Sequence, residues 1–288
     1  MKYGKMSSMF NKNNKLKRIS LGFAAAIITP AILGLSAIAC SRENANEFAA
    51  KFLFGSDAKN YYNSTTKTLD LSQTNLKVIP QSAFSWKTLL RLFTINNQGD
   101  RKEIANGIIT DQQINIERII LPESLELIEK GAFSEINSLK TITFGNKLKE
   151  IQDNAFEKNS IEELILPNSI SVIGEGAFRS NKIKSINMKD LVNYSVLTKG
   201  VFANNLLTEI DLSRVTRIES GALSQNKFTK LELPASLVNV DVDFLDYIHP
   251  KMETLAKVKL TILDKTTSDK FKEALAADPS HLFEIVSN

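Results

Sequence analysis

Apolar positions return along this chain in blocks of about twenty-two residues. The block Ile161–Lys182 reads IEELILPNSISVIGEGAFRSNK, and the same punctuation precedes it from Ile116 and Leu139 and follows it from Ile183, Leu207 and Phe228. Successive blocks start 23, 22, 22, 24 and 21 residues apart. In the block from Ile116 the apolar residues fall at Ile116, Ile119 and Leu121, then Leu125 and Ile128, then the pair Ala132-Phe133. The first three alternate as in a short strand with one buried face, and Pro122 behind them ends ladder pairing and turns the chain. Phe133, Phe156 and Phe178 hold one place in successive blocks, which predicts an aromatic spine on the far side of each coil. Gly131, Gly176 and Gly200 precede the Phe pair and predict a tight turn, and Asn146, Asn159, Asn181 and Asn226 predict further turns through side-chain bonds to nearby backbone.

Self-similarity at roughly 20–29 residues is the signature of leucine-rich repeats, in which each coil supplies one strand and a helical or irregular return. The expected fold is therefore an α/β repeat solenoid, a right-handed coil with a parallel concave sheet and a cap at each end. The residues resemble the BspA-like, or treponemal-type, leucine-rich repeat family, whose pattern runs LxxIxLPxSLxxIGxxAF. The match is close at LILPNSISVIGEGAF, residues 164–178, and poor at 183–202, where MKDLVNY replaces the proline turn. The resemblance covers roughly residues 66–288. It implies a surface protein of the adhesive or matrix-binding kind, and specifies no ligand.

The expected organisation is a leader at 1–39, a tether and N-terminal cap at 40–65, a solenoid of about eight coils at 66–245, and a strand-helix-strand cap at 246–288. The first coil runs over TKTLDLSQTNLKVIPQSAF. Leu89 and Leu92 open a second strand, and NNQGDRKE interrupts it, so 89–115 reads as a degenerate or looped-out coil. Phe84 and Phe133 are 49 residues apart, about two periods, which favours a damaged coil over a linker between two solenoids. SRENANEF reads as a polar tether and Glu47–Phe54 as a helix covering the first coil, with membrane contact by Phe48, Phe52 and Phe54 the lesser alternative. In the C-terminal cap the expected helix takes Ser268 as N-cap and Asp269 in its first turn.

Composition changes this picture mainly at the start. Hydrophobic residues make up 43% and charged residues 24%, ordinary for a globular chain. The net charge of +4 belongs to the leader: Lys2, Lys5, Lys12, Lys15, Lys17 and Arg18 stand there without an acid, leaving 30 basic against 32 acidic residues beyond Ala39. A nucleic-acid partner is disfavoured on that balance. The basic stretch is followed by an uncharged run, Ile19–Ala39, that ends at the single cysteine, in the order of a signal peptide. Ala37-Ile38-Ala39-Cys40 resembles a relaxed bacterial lipobox, with Ala where Leu is usual. That likeness implies lipid attachment at Cys40 and the outer face of the cell membrane as location, with mollicute surface lipoproteins the natural comparison. An uncleaved signal anchor is the rival, and Met1, Met6 and Met9 are all possible starts.

Candidate chemistry is sparse. His249 and His281 are the only histidines and are read as structural, no phosphate loop or nucleophile elbow occurs, and no metal, cofactor or catalytic residue is expected. Asp241 and Asp243 could be imagined as paired acids, but read as a solvated face. Specificity is expected at outward strand positions. The second position of each block (Glu117, Lys140, Glu162, Lys184) alternates in charge and reads as mutual stabilisation between coils. The third and fifth positions supply the candidate binding residues Arg118, Ile120, Glu163, Ile165, Glu209 and Asp211. A protein or glycan partner at the cell surface, including a host-derived one, is the leading expectation, and a self-associating envelope scaffold the alternative.

Overall fold

The computed structural model describes residues 42–54, 61–94, 115–246 and 257–286. All lie in one compact unit, Cys40–Asn288. The leader, Cys40 and His249 are outside the described residues.

Most coils contribute two short strands, and like strands pair in parallel from coil to coil; the coil from Leu207 supplies only the second. The first ladder begins with β1 (Tyr62–Asn63), antiparallel to β2 (Thr68–Asp70), and continues in parallel through β4 (Arg118–Ile120) and β6 (Thr141–Thr143). Its later members are β8 (Glu163–Leu164) paired with β10 (Ser185–Ile186), then β13 (Lys230–Leu233), β15 (Val258–Ile262) and β16 (Phe283–Ile285). A second parallel ladder runs through β3 (Val78–Ile79), β5 (Leu127–Ile128), β7 (Glu150–Ile151) and β9 (Val172–Ile173), and resumes at β11 (Val196–Leu197), β12 (Arg217–Ile218) and β14 (Asn239–Val240). An irregular return was expected where this second ladder lies. The pairs after each proline turn are apolar-rich and β-branched enough to pair with their neighbours one coil away.

The two ladders enclose one core. Ile119, Leu121, Leu125, Ile128 and Phe133 are buried in one coil, and Leu164, Leu166, Ile170, Ile173 and Phe178 in another. The expected spine is present: Phe84, Phe133, Phe156 and Phe178 stack with centroids 5.4, 5.2 and 5.3 Å apart and planes within 8° of parallel, and Phe202 follows at 6.0 Å. Leu223 takes the next place and Phe244 the last; both are fully buried. The turn before each Phe is left-handed, at φ near +60° for Gly131, Gly176, Gly200 and Gly221, and Ser82 and Asn154 adopt it without glycine. Gly145 answers a different need, since a Cβ there would lie 2.3 Å from the Pro122 carbonyl of the preceding coil. In the irregular coil a 3-10 turn at Met188–Asp190 replaces the proline turn and sends Met188, Leu191 and Tyr194 inward.

Next to the spine runs a ladder of buried amides. Asn181 donates through Nδ2 to the carbonyls of Phe178 and of Phe156 one coil earlier, and accepts the Ile161 N–H through Oδ1. Asn205 and Asn226 repeat the pattern, closing the N–H groups of Ile183 and Leu207. Asn159 donates in the same way, but its buried Oδ1 has no partner. The reason is local: the preceding coil has Ile136 in the Asn place and one extra residue before Leu139, whose N–H turns back to the Ile136 carbonyl. These asparagines were expected to stabilise their own turns; they also tie each coil to the one before it. Asn146 stays outside the ladder.

The stretch after Phe84 differs from a second strand in the stack. Residues Trp86–Thr94 form helix α2 and not a strand. No coil stands between the first coil and that of Ile116, because β2 pairs directly with β4, β3 with β5, and Phe84 stacks on Phe133. The chain leaves the stack after Phe84 and is back in register at β4, which fits the looped-out alternative and excludes both a degenerate coil within the stack and a break between two solenoids.

At the N-terminal end helix α1 spans Arg42–Phe54, so most of the expected tether is helical. It covers the first coil as expected of a cap: Phe48 and Phe52 lie 5.9 and 6.4 Å from Phe84. Being packed against the core, these two rings are removed from the lesser alternative of membrane contact. At the C-terminal end helix α3 spans Lys265–Ala277, and its N-cap is Asp264, whose carboxylate accepts the Thr267 N–H at 2.7 Å, not Ser268. Phe271 of α3 packs between Phe244 and Phe283 and closes the core, while the Lys270 ammonium donates to the Val240 carbonyl on the open edge of the second ladder.

Candidate functional site

Strand geometry sends the third and fifth residues of each block outward from the first ladder, on either side of a buried fourth residue. Pairing sets the columns. Thr68, Arg118 and Thr141 lie side by side in the third column, and Asp70, Ile120 and Thr143 in the fifth. Glu163 pairs with Ser185 further along. The C-terminal cap prolongs the third column, since Lys230 pairs with Lys259 and Lys259 with Glu284. This extension was missed in the sequence, although KLEL, VKLTI and FEI share one alternation of polar and apolar residues.

The second column, which flanks this face, is saturated with ion pairs. Glu117 bridges Lys67 at 2.6 Å and Lys140 at 2.9 Å, and Glu162 meets Lys184 at 2.8 Å. Hydrogen bonds from Lys67 and then Lys140 pull the Glu117 carboxyl down to about 2. The Lys184 ammonium lowers Glu162 in the same way. A parallel set lies beside the second ladder, where Glu126 stands between Lys77 and Lys149. The alternation expected at second positions is thus a set of inter-coil bonds.

On the outward face the fifth column divides. The Ser213 hydroxyl and then its N–H, at 2.8 Å, hold the Asp211 carboxyl below the usual range, and Asp70 accepts the Ser72 N–H at 2.9 Å. Asn187 exchanges two hydrogen bonds with the Leu166 backbone one coil away. These polar groups are engaged in holding turns. Ile120 is half-buried between Asp70 and Thr143, whereas Ile165 is 60% exposed. Arg118, Glu163 and Glu209 are exposed, and among the described residues their side chains make no hydrogen bond or ion pair. Arg118 and Ile120 on β4 and Glu163 on β8 stand on the outward face of this ladder, with Ile165 just beyond β8, whereas Glu209 and Asp211 fall in a stretch that forms no strand of it. They do not converge on a pocket: coils are about 4.8 Å apart, so Arg118 and Glu163, two coils apart, are separated by roughly twice that.

Other candidate chemistry has structural partners. Asp241 accepts the Ser220 N–H and Asp243 its hydroxyl. His281 bonds through Nδ1 to Asp246, stacks on Phe283, and is followed by Leu282, whose N–H also goes to Asp246. Among the described residues no group of three His, Cys, Asp or Glu side chains is placed to hold a metal ion. No helix among them is long and apolar enough to cross a membrane.

Paired parallel ladders, a stacked Phe spine and an Asn ladder wound at this period make the fold a leucine-rich repeat solenoid. Within that class, residues 102–230 match the BspA type leucine-rich repeat region in six copies. Among solved structures the chain is similar to the pneumococcal vaccine antigen PcpA, at 16% identity over 60% of this chain and 68% of that one, with a TM-score of 0.24. It is also similar to a leucine-rich repeat protein of T. pallidum (22% identity, 43% of this chain and 60% of that one, TM-score 0.27). A third is a leucine-rich repeat protein of Bacteroides ovatus (14% identity, 52% and 50%, TM-score 0.29). No curated protein matches the chain.

Proposed function

We propose that the protein is a non-catalytic surface lipoprotein, anchored through Cys40, that binds a protein or glycan partner on the outward face of its first ladder. The observation that carries this reading is the contrast in use of charge. Acids and lysines on the flanks pair between coils, while among the described residues the exposed charges of Arg118, Glu163 and Glu209 have no partner, and Ile165, in the same coil as Glu163, is 60% exposed. An exposed apolar residue rimmed by unspent charge is the composition of a contact surface. The leader ending at Cys40 supports export and anchoring.

The test is capture of cell-surface components by protein carrying Arg118→Glu, Glu163→Lys, Ile165→Asp and Glu209→Lys together. Binding falls at least about tenfold if this face is the site, as a loss near 1.4 kcal/mol requires. Capture equal to wild type overturns the assignment. Anchoring is tested separately by acyl labelling of wild type and Cys40→Ala; label retained by the variant overturns it.

A further inference from the structure

The N-terminal cap and the proposed anchor are neighbours in the chain. α1 starts at Arg42, two residues after Cys40, and two extended residues reach about 7 Å at most. Lipid on Cys40 would hold the start of α1 at the headgroup level with almost no slack. Nor can α1 swing away from the stack, because Ala45, Ala49 and Phe52 are buried and Phe48 and Phe52 sit against Phe84. α2 packs beside it.

α2 buries Thr88 and Leu89, while Lys87 is exposed and Trp86 and Leu90 are half-buried. Trp86 and Leu90 are one helical turn apart and share a ridge next to Lys87. On α1 Lys51 is exposed, as is one acid, Glu47. Together the two helices hold four of the 30 basic residues beyond Ala39 and two of the 32 acids, so the cap is positive on an otherwise acidic body. Indole and aliphatic surface beside lysine is the make-up of a helix lying in a membrane interface.

We infer that the α1–α2 cap is a second membrane contact, seated on an anionic phospholipid surface with Trp86 and Leu90 at headgroup depth and Lys51 and Lys87 against lipid phosphates. This rests on anchoring at Cys40, which supplies the local concentration that so small a contact needs. It fixes an orientation: the stack rises from the membrane by its N-terminal end, α3 is outermost, and the first-ladder face is turned sideways.

The chain's composition supplies the test, because Trp86 is the only tryptophan and Cys40 the only cysteine. Residues 40–288, which form a compact unit of their own, are coupled through Cys40 to a maleimide phospholipid in vesicles of phosphatidylglycerol and brominated phosphatidylcholine. The expected result is a blue shift of Trp86 emission and quenching by about half, reduced by Lys51→Glu with Lys87→Glu and on vesicles lacking phosphatidylglycerol. Emission identical to that of the uncoupled protein overturns the inference, and equal quenching on neutral vesicles overturns its anionic specificity. Because the coupling is chemical, neither outcome depends on whether the cell acylates Cys40, which the labelling experiment above reads.

Discussion

The far side of each coil and the outward face of its first ladder use the same repeat in opposite ways. On the far side the coils from Phe84 to Phe202 present the same group, a phenylalanine within about 6 Å of the next, and the later coils add an asparagine bonded to two carbonyls. Sameness is required there, because each group's partner is its own copy one coil away. On the outward face neighbours differ, as Arg118, Thr141, Glu163 and Ser185 show, and among the described residues the side chains of Arg118 and Glu163 make no hydrogen bond or ion pair. Repetition marks what builds the stack; its absence marks where a ligand can be read.

That comparison is broken most severely at the spine. Phe156→Ala, in the middle of the parallel stack, is expected to cost about 3–5 kcal/mol in urea unfolding, since the cavity lies between two flanking rings that neighbouring coils hold in place. A cost under about 1 kcal/mol would mean the spine is dispensable. The amide ladder comes next. Asn181→Ala strands the Ile161 N–H, while the Phe156 and Phe178 carbonyls keep Asn159 and Asn205 as donors, and is expected to cost about 2–3 kcal/mol, whereas Asn159→Ala should cost less because it also removes a buried Oδ1 that has no partner. Equal losses at the two positions would mean that the Oδ1 bond to the Ile161 N–H adds nothing.

Charge at the flank gives a smaller and pH-dependent effect. The Glu117 carboxyl is lower in the folded protein than its ordinary value of 4.5, at about 2. A depressed carboxylate contributes stability that is present above the unfolded value and lost as pH falls through the folded one. The melting temperature of wild type should therefore exceed that of Glu117→Gln by a constant amount above about pH 5, with the gap closing from about 4.5 towards 2. A gap that persists at pH 2 would assign the effect to packing. The smallest stability change belongs to the outward face: Arg118→Ala, Glu163→Ala and Glu209→Ala should each stay within about 0.5 kcal/mol, while capture of the partner declines.

Much of this was legible in the chain. The period, the spine and the alternation of second-position charges follow from side-chain type and spacing alone. What escaped has physical causes. Leu89 and Leu92, three apart, suit one face of a helix as well as two positions of a broken strand, and a 49-residue interval between Phe84 and Phe133 is close enough to two periods to imitate a missing coil. Asp264 and Ser268 are both good N-caps, and the intervening Thr266 and Thr267 gave no helical signal to choose between them. Of the six outward candidates, Arg118, Ile120 and Glu163 fall on strands of the first ladder, whereas Glu209 and Asp211 fall where no strand forms, and Asp211 is occupied with Ser213, a bond that residue type alone does not distinguish from an available carboxylate.

The unpartnered Oδ1 of Asn159 has a consequence for how such an array can change length. Adding or removing a whole coil reproduces every amide and ring contact, because each coil meets only copies of itself. One residue added inside a coil, as between Phe133 and Leu139, already strands a buried oxygen in the next. The tolerated step is then a complete turn of about twenty-two residues, and related chains should differ by whole coils in the stack, with smaller insertions confined to places, such as the segment after Phe84, where the chain has left it.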